Sequence, residues 1–328
     1  MRRQSSKIYS SLMDRIAISM AVCQVINLLL SFILSFIEQK AVALGDASSF
    51  DIVICAGKCA IYFFAFVYSM NIFNKMNKNA QREIYEPCES KKMTGAMPLV
   101  LAGCFLGVII LSAFANKLLL GGYNDFSQNV LWQVELEHLY QILFYIALRV
   151  LLPAFLEEYF FRGMVCKSLT VYGKGTAIVV SAALFSVMHA DFSQLLYTLV
   201  AGILLGYLFV ETKSIIYPII LHLLNNAVWA SLEIARQRCE ADVYNSILLY
   251  VMASVAVIFV ICSAVFAVYI IKKGELIDKL VMKPDENGDA VMPLGRSERV
   301  RGFFSRGVVL YIVYAMLRAV YLIYLSMQ

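Results

Sequence analysis

Apolar residues along this chain fall in long unbroken runs, separated by shorter stretches carrying Lys, Arg, Asn, Gly and Pro. A run of about 20 apolar residues, wound as an α-helix, matches the hydrocarbon thickness of a bilayer. On that criterion nine candidate spans are predicted, at about 16–37, 50–73, 97–115, 138–158, 177–190, 195–210, 215–233, 245–271 and 303–325. The fifth and sixth are short, as expected of helices that tilt or that stop within the membrane where protein covers their ends. The pattern predicts an all-α polytopic membrane protein, a bundle of about eight or nine transmembrane helices around an intramembrane polar cavity. Residues 1–137 would form N-terminal membrane helices and loops and 138–233 a membrane core. Residues 234–328 would form C-terminal membrane helices with a cytoplasmic loop near 274–302. Pro284, Asn287, Gly288, Pro293 and Gly295, set among charges, predict flexibility in that loop, and 74–93 is similarly polar.

The basic residues supply an orientation. With the N-terminus inside, cytoplasmic segments hold Arg2, Arg3, Lys7, Arg15, Lys75, Lys78, Arg82, Lys91, Lys92, Arg162, Lys167, Lys174, Lys213 and a final cluster from Lys272 to Arg301. The opposite segments hold only Lys40, Lys117, Arg236 and Arg238. Lys and Arg favour the cytoplasmic side, so an integral membrane protein of the plasma membrane with a cytoplasmic N-terminus is expected. The first apolar run is longer than a signal-peptide core and is read as an uncleaved span.

Composition sharpens the class. The 328 residues are 61% hydrophobic and 16% charged, against about 45–50% apolar in an ordinary globular chain. The net charge of +5 is distributed between spans and not gathered into a basic groove with interleaved aromatics, which excludes nucleic acid as a partner. The eight cysteines are scattered, mostly within apolar runs, and lack a metal-type or disulfide spacing. They read as small packing residues.

Against this background Glu157, Glu158 and Arg162 stand out in a stretch otherwise made of Leu, Phe and Tyr. Ionisable groups in a span cost free energy and mark function by default. On a helix Glu158 and Arg162, four apart, face one another and can pair, while Glu157 is rotated about 100° away and is free to address a wet cavity. Adjacent carboxylates in a desolvated place suit a general base or acid. Charges snorkelling at a cytoplasmic helix end are the alternative, because Arg162 lies near the predicted boundary. His189 closes the fifth apolar segment, with Phe185 one turn before it on the same face. His222 and Asn226, also four apart, share a face of the seventh span. An imidazole and a carboxamide can donate hydrogen bonds to an oxygen that becomes negative during acyl transfer. Polar contacts that merely tie helices together are the competing account. Arg149, Lys58 and Arg318 lie within spans and read as paired or snorkelling charges, and His138 as an interfacial residue beside Glu135 and Glu137.

In order and spacing these short motifs resemble those of the CAAX-protease and bacteriocin-processing membrane family, also called Abi or CPBP. Glu157-Glu158-Tyr159-Phe160-Phe161-Arg162 fits its EExxxR signature, Phe185 to His189 its FxxxH motif and His222 to Asn226 its HxxxN motif. Gly202 and Gly206 in the intervening span also match. The resemblance covers about 150–230. It implies an intramembrane endopeptidase in which Glu157 activates water with help from His189. His222 and Asn226 would bind the oxyanion, and Glu158, Arg162 and Phe185 would organise the site. The implied partners are a membrane-associated protein or peptide substrate and the lipid bilayer. No cofactor is expected. A divalent metal such as zinc stays open, because zinc catalysis uses sets such as two His and one Glu, although HExxH is lacking. A non-catalytic membrane scaffold or bacteriocin-immunity protein, and a proton-coupled transporter, are the alternative functions.

One geometric demand accompanies this reading. His189 would lie roughly 20 Å along a helix entering from the cytoplasmic side, whereas Glu157 and His222 lie near that side. Convergence requires a deep cavity, or a fifth span that begins well inside the membrane.

Overall fold

A computed structural model describes residues 2–43, 47–84, 97–120, 136–192, 194–273 and 294–326. The described residues are helical with short connections, and none forms a strand. In chain order the helices are α1 (Arg2–Ala43), α2 (Ala47–Ile84), α3 (Met97–Leu120), the bent run α4 (Leu139–Tyr172), α5 (Lys174–His189), α6 (Leu195–Thr212), α7 (Ile216–Arg238), α8 (Ala241–Lys273), α9 (Arg296–Phe303) and α10 (Arg306–Ser326).

Six of these are long and apolar enough to cross a membrane, or seven if α9 and α10, bent by 55°, form one broken span. The count differs from eight or nine for two reasons. α5 has only 16 residues, and α7 carries too many polar groups for its length. Both are instead parts of the protein interior: Leu184, Phe185, Leu221 and His222 are buried. At the other extreme α8 is only 6% buried over its apolar window, and Leu249, Tyr250, Val260 and Ile261 stand exposed. An apolar surface of that extent fits a lipid environment.

The fourth span is not 138–158 but continues to Tyr172, so Arg162 is interior, 1% exposed, and not a snorkelling charge at a boundary. The run is not a uniform helix. Two segments, Ala147–Leu151 and Tyr159–Cys166, are wound as wider π turns on either side of the α-helical Leu152–Glu158. Pro153 accounts for the first. It has no N–H to offer the carbonyl of Arg149 four residues back, and its ring crowds that carbonyl, so the local pairing shifts to partners five apart. The Leu152 N–H bonding the Ala147 carbonyl is such a pair.

Two polar stretches expected as loops are partly helical. α2 runs on past residue 74, where Asn77 is buried, donating to the Phe73 carbonyl and accepting from Arg15. Within the loop expected near 274–302, α9 forms at 296–303; residues 274–293 lie outside the described residues. The Gly295 N–H donates to Glu298 at 2.8 Å, which caps α9.

α5 and α6 approach one another closely. A Cβ on Gly202 would lie 2.9 Å from the Ala182 Cα, and one on Gly206 would lie 3.6 Å from the Ile178 Cα. This is the small-residue approach common between membrane helices. Ser186 donates to the Leu195 carbonyl at 2.6 Å and locks the connection between them. Gly202→Ala is expected to destabilise the protein by about 1–3 kcal/mol through overpacking, measured as a lowered unfolding temperature in detergent.

Candidate active site

The two acidic neighbours face different surroundings. Glu158 is 0% exposed, and its Oε1 accepts from Arg162 Nη1 at 2.8 Å and from His222 Nδ1 at 2.8 Å. Arg162 is held two further ways. Its Nη2 donates to the Gly202 carbonyl at 3.2 Å, its guanidinium lies 4.6 Å from the Phe185 ring centroid, and both side chains are buried. The expected Glu158–Arg162 pair is present, and His222 joins it.

Glu157 points the other way, into a cavity of about 670 Å³. The Tyr62 hydroxyl, from α2, donates to its Oε1 at 2.6 Å. Its Oε2 is buried without a hydrogen-bond partner among the described residues and lies 3.9 Å from His222 Nε2. His222 thus stands between the two carboxylates. A carboxylate only accepts, so the 2.8 Å contact places a proton on His222 Nδ1. Nε2 can then donate toward the cavity only when the ring carries both protons.

His189 is the last residue of α5. Ala190 follows it in the left-handed conformation, φ 48°, and closes the helix. The His189 Nδ1 lies 2.9 Å from the Phe185 carbonyl, which can only accept. In the neutral ring this leaves the Nε2 lone pair unused by that contact. Phe185 supports the ring edge-on, with centroids 4.9 Å apart, as the one-turn spacing implied. One residue earlier, the Met188 carbonyl accepts from Gln24 Nε2 at 2.7 Å, and Gln24 Oε1 accepts in turn from Arg318 of α10.

Asn226 also lines the cavity. Its Oδ1 accepts from Asn225 Nδ2 at 3.1 Å, which leaves the Asn226 NH₂ as a donor.

Glu157, Phe185, His189, His222 and Asn226 therefore share one cavity, with Glu158 and Arg162 behind its wall. The depth difficulty disappears because α4 does not end at Glu158. Glu157 is in the middle of a 34-residue run, and the 16-residue α5 brings His189 to it from a deep C-terminus. Tyr62, Asn225 and Gln24 were not singled out from sequence. The only signal was a polar atom in an apolar span, which must find a partner. His138 stacks on Tyr140 at 5.5 Å and does not line this cavity. Among the described residues no three His, Cys, Asp or Glu side chains come together so as to hold a metal ion.

Residues 139–228 match the family model described as Rce1-like, type II CAAX prenyl endopeptidase Rce1-like. No curated protein and no solved structure matches the chain. The matched segment contains every motif residue described above, from Glu157 to Asn226. Through this membrane core, about a quarter of its length, the chain is similar to the CAAX-protease family.

Proposed function

We propose that the protein is an intramembrane endopeptidase that hydrolyses a peptide bond in a membrane-associated protein or peptide, with Glu157 as the base that activates water. The observation that carries this reading is the asymmetry of Glu157: Tyr62 occupies Oε1, while Oε2 has no hydrogen-bond partner among the described residues, and the residue lines a cavity shared with His189, His222 and Asn226. A water held between Glu157 Oε2 and His189 Nε2 has an acceptor for each of its protons. Its oxygen adds to the scissile carbonyl carbon as one proton passes to Glu157. The resulting oxyanion accepts from the Asn226 NH₂, with His222, which lies between the carboxylates of Glu157 and Glu158, placed beside it as a second donor when its ring carries both protons. The C–N bond then breaks, and the proton held by Glu157 goes to the departing amine. Glu158 and Arg162 orient His222 and do not touch substrate. Among the described residues no three His, Cys, Asp or Glu side chains are grouped to hold a metal ion, and each of these steps uses side chains and water.

The family description names a prenyl substrate, which makes a lipidated peptide the first to try. In lipid nanodiscs, purified protein is expected to cleave membrane-anchored peptides, prenylated or acylated, with the fragments identified by mass spectrometry and the rate unaffected by chelator. Activity lost with chelator and restored by zinc would overturn the metal-free route. Intact peptides throughout would favour a non-catalytic scaffold.

Tyr62 is a positioning residue on this reading. Tyr62→Phe removes one charge-assisted hydrogen bond and is expected to lower kcat about tenfold with KM little changed. An equal loss in the two parameters' ratio carried wholly by KM would instead make Tyr62 a binding group.

A further inference from the structure

The cavity occupies one half of the molecule. On α7 its wall runs from His222 to Arg236, about 21 Å at 1.5 Å per residue, and on to Gln237; these last two side chains, in the final turn, are exposed. In the other direction the space beyond Glu157 is filled: Phe160, Val165 and Leu169 of α4 are buried in one cluster with Met13 and Ile16 of α1. The cavity therefore has a mouth where α7 ends and a packed floor toward the end of α4.

Contacts between helix ends define both levels. At the mouth, Arg238 donates to the Leu136 and Glu137 carbonyls at 2.9 and 2.6 Å, and Asp51 near the start of α2 accepts from Tyr140 and Gln141 of α4 at 2.6 Å each. At the floor end Tyr9 of α1 meets Tyr172 edge-on, Lys174 pairs with Glu211 at 3.8 Å, and Arg299 of α9 donates to Thr176 at 3.2 Å. The basic residues divide along the same line. At the floor end Lys167 and Lys174 flank the turn from α4 to α5, Lys213 lies in the turn from α6 to α7, and Arg301 and Arg306 flank the turn from α9 to α10. At the mouth the connection from α5 to α6, residues 190–194, carries Asp191 and neither Lys nor Arg. The turn from α7 to α8 sets Arg236 and Arg238 against Glu233, Glu240 and Asp242. Short connections such as these are where an excess of Lys and Arg marks the cytoplasmic side.

We infer that the mouth opens on the extracytoplasmic face, so that the peptide reaching Glu157 belongs to a protein or peptide already carried across the membrane or anchored in its outer leaflet. The substrate class rests on the endopeptidase reading; the side of the mouth rests on the charges and the packed floor.

Two readouts test the inference separately. Full-length protein with Cys88 and Cys239 replaced by Ala carries either Gln237→Cys at the mouth or Ser297→Cys, exposed on α9, and intact wall-free cells are treated with a charged maleimide that does not cross membranes. Gln237→Cys is expected to label in intact cells, and Ser297→Cys only after permeabilisation. Any other labelling pattern overturns the inference. In the second readout, an acyl-anchored peptide with charged residues that keep it in one leaflet is added to sealed membrane vesicles. Right-side-out vesicles are expected to cleave it at least about tenfold faster than inverted ones, detergent to remove the difference, and Glu157→Gln to abolish the signal in both. Equal rates in the two kinds of sealed vesicle, or faster cleavage by inverted ones, overturn the inference. If the labelling is as expected and no preparation cleaves any peptide, detergent included, the endopeptidase reading falls and the side of the mouth stands.

Discussion

Glu157→Gln is expected to lower the rate of peptide hydrolysis by about three orders of magnitude while the protein stays folded. General-base catalysis contributes roughly 10²–10⁴ in rate, and the carboxamide keeps the size of the side chain and an acceptor for the Tyr62 hydroxyl. It cannot take a proton from water. Single-turnover cleavage in nanodiscs is the measurement, with unfolding temperature as the control. A variant that cleaves at a tenth of the normal rate or faster would remove Glu157 from the chemical step. His189, whose ring is fixed by Phe185 from two directions, through the carbonyl and through the ring edge, would then be the first candidate for the base.

Breaking the charge pair behind the cavity should act on stability first. Glu158 and Arg162 are 0% and 1% exposed, and removing one member of a buried pair costs about 3–5 kcal/mol because the other is left charged and unmatched. Glu158→Ala and Arg162→Ala are each expected to lower the unfolding temperature sharply. The double replacement Glu158→Leu with Arg162→Met should recover most of that loss, since a buried ion pair often yields to apolar groups of similar volume. It should not recover hydrolysis, because His222 loses the acceptor of its Nδ1 proton. Full activity in the double variant would make the pair purely architectural.

The family motifs were readable because their chemistry is local. Four-residue spacings on a helix put Glu158 against Arg162 and Phe185 against His189, and both contacts are formed. The length of α4 was not readable because of the charges at its centre. Glu157, Glu158 and Arg162 depress the hydropathy of the run, so a window stops at 158, although two of those charges are matched inside the protein. Tyr62 escaped notice because its partner lies 95 residues away on another helix, and no period along α2 encodes that meeting. α9 was hidden by its composition: a polar, Gly-containing stretch reads as a loop unless a tertiary contact is known, and Gly302 is buried against Tyr9 of α1.

The tie from Arg318 through Gln24 to the Met188 carbonyl joins the first helix, the last helix and the residue next to His189. Chains emerge from the ribosome at about 5–20 residues per second, N-terminus first. Residues 139–228 are therefore synthesised well before the arginine that completes this tie. A nascent chain whose core has already inserted still lacks one of the struts beside His189, and that corner of the cavity is braced only once Arg318 has been synthesised and packed.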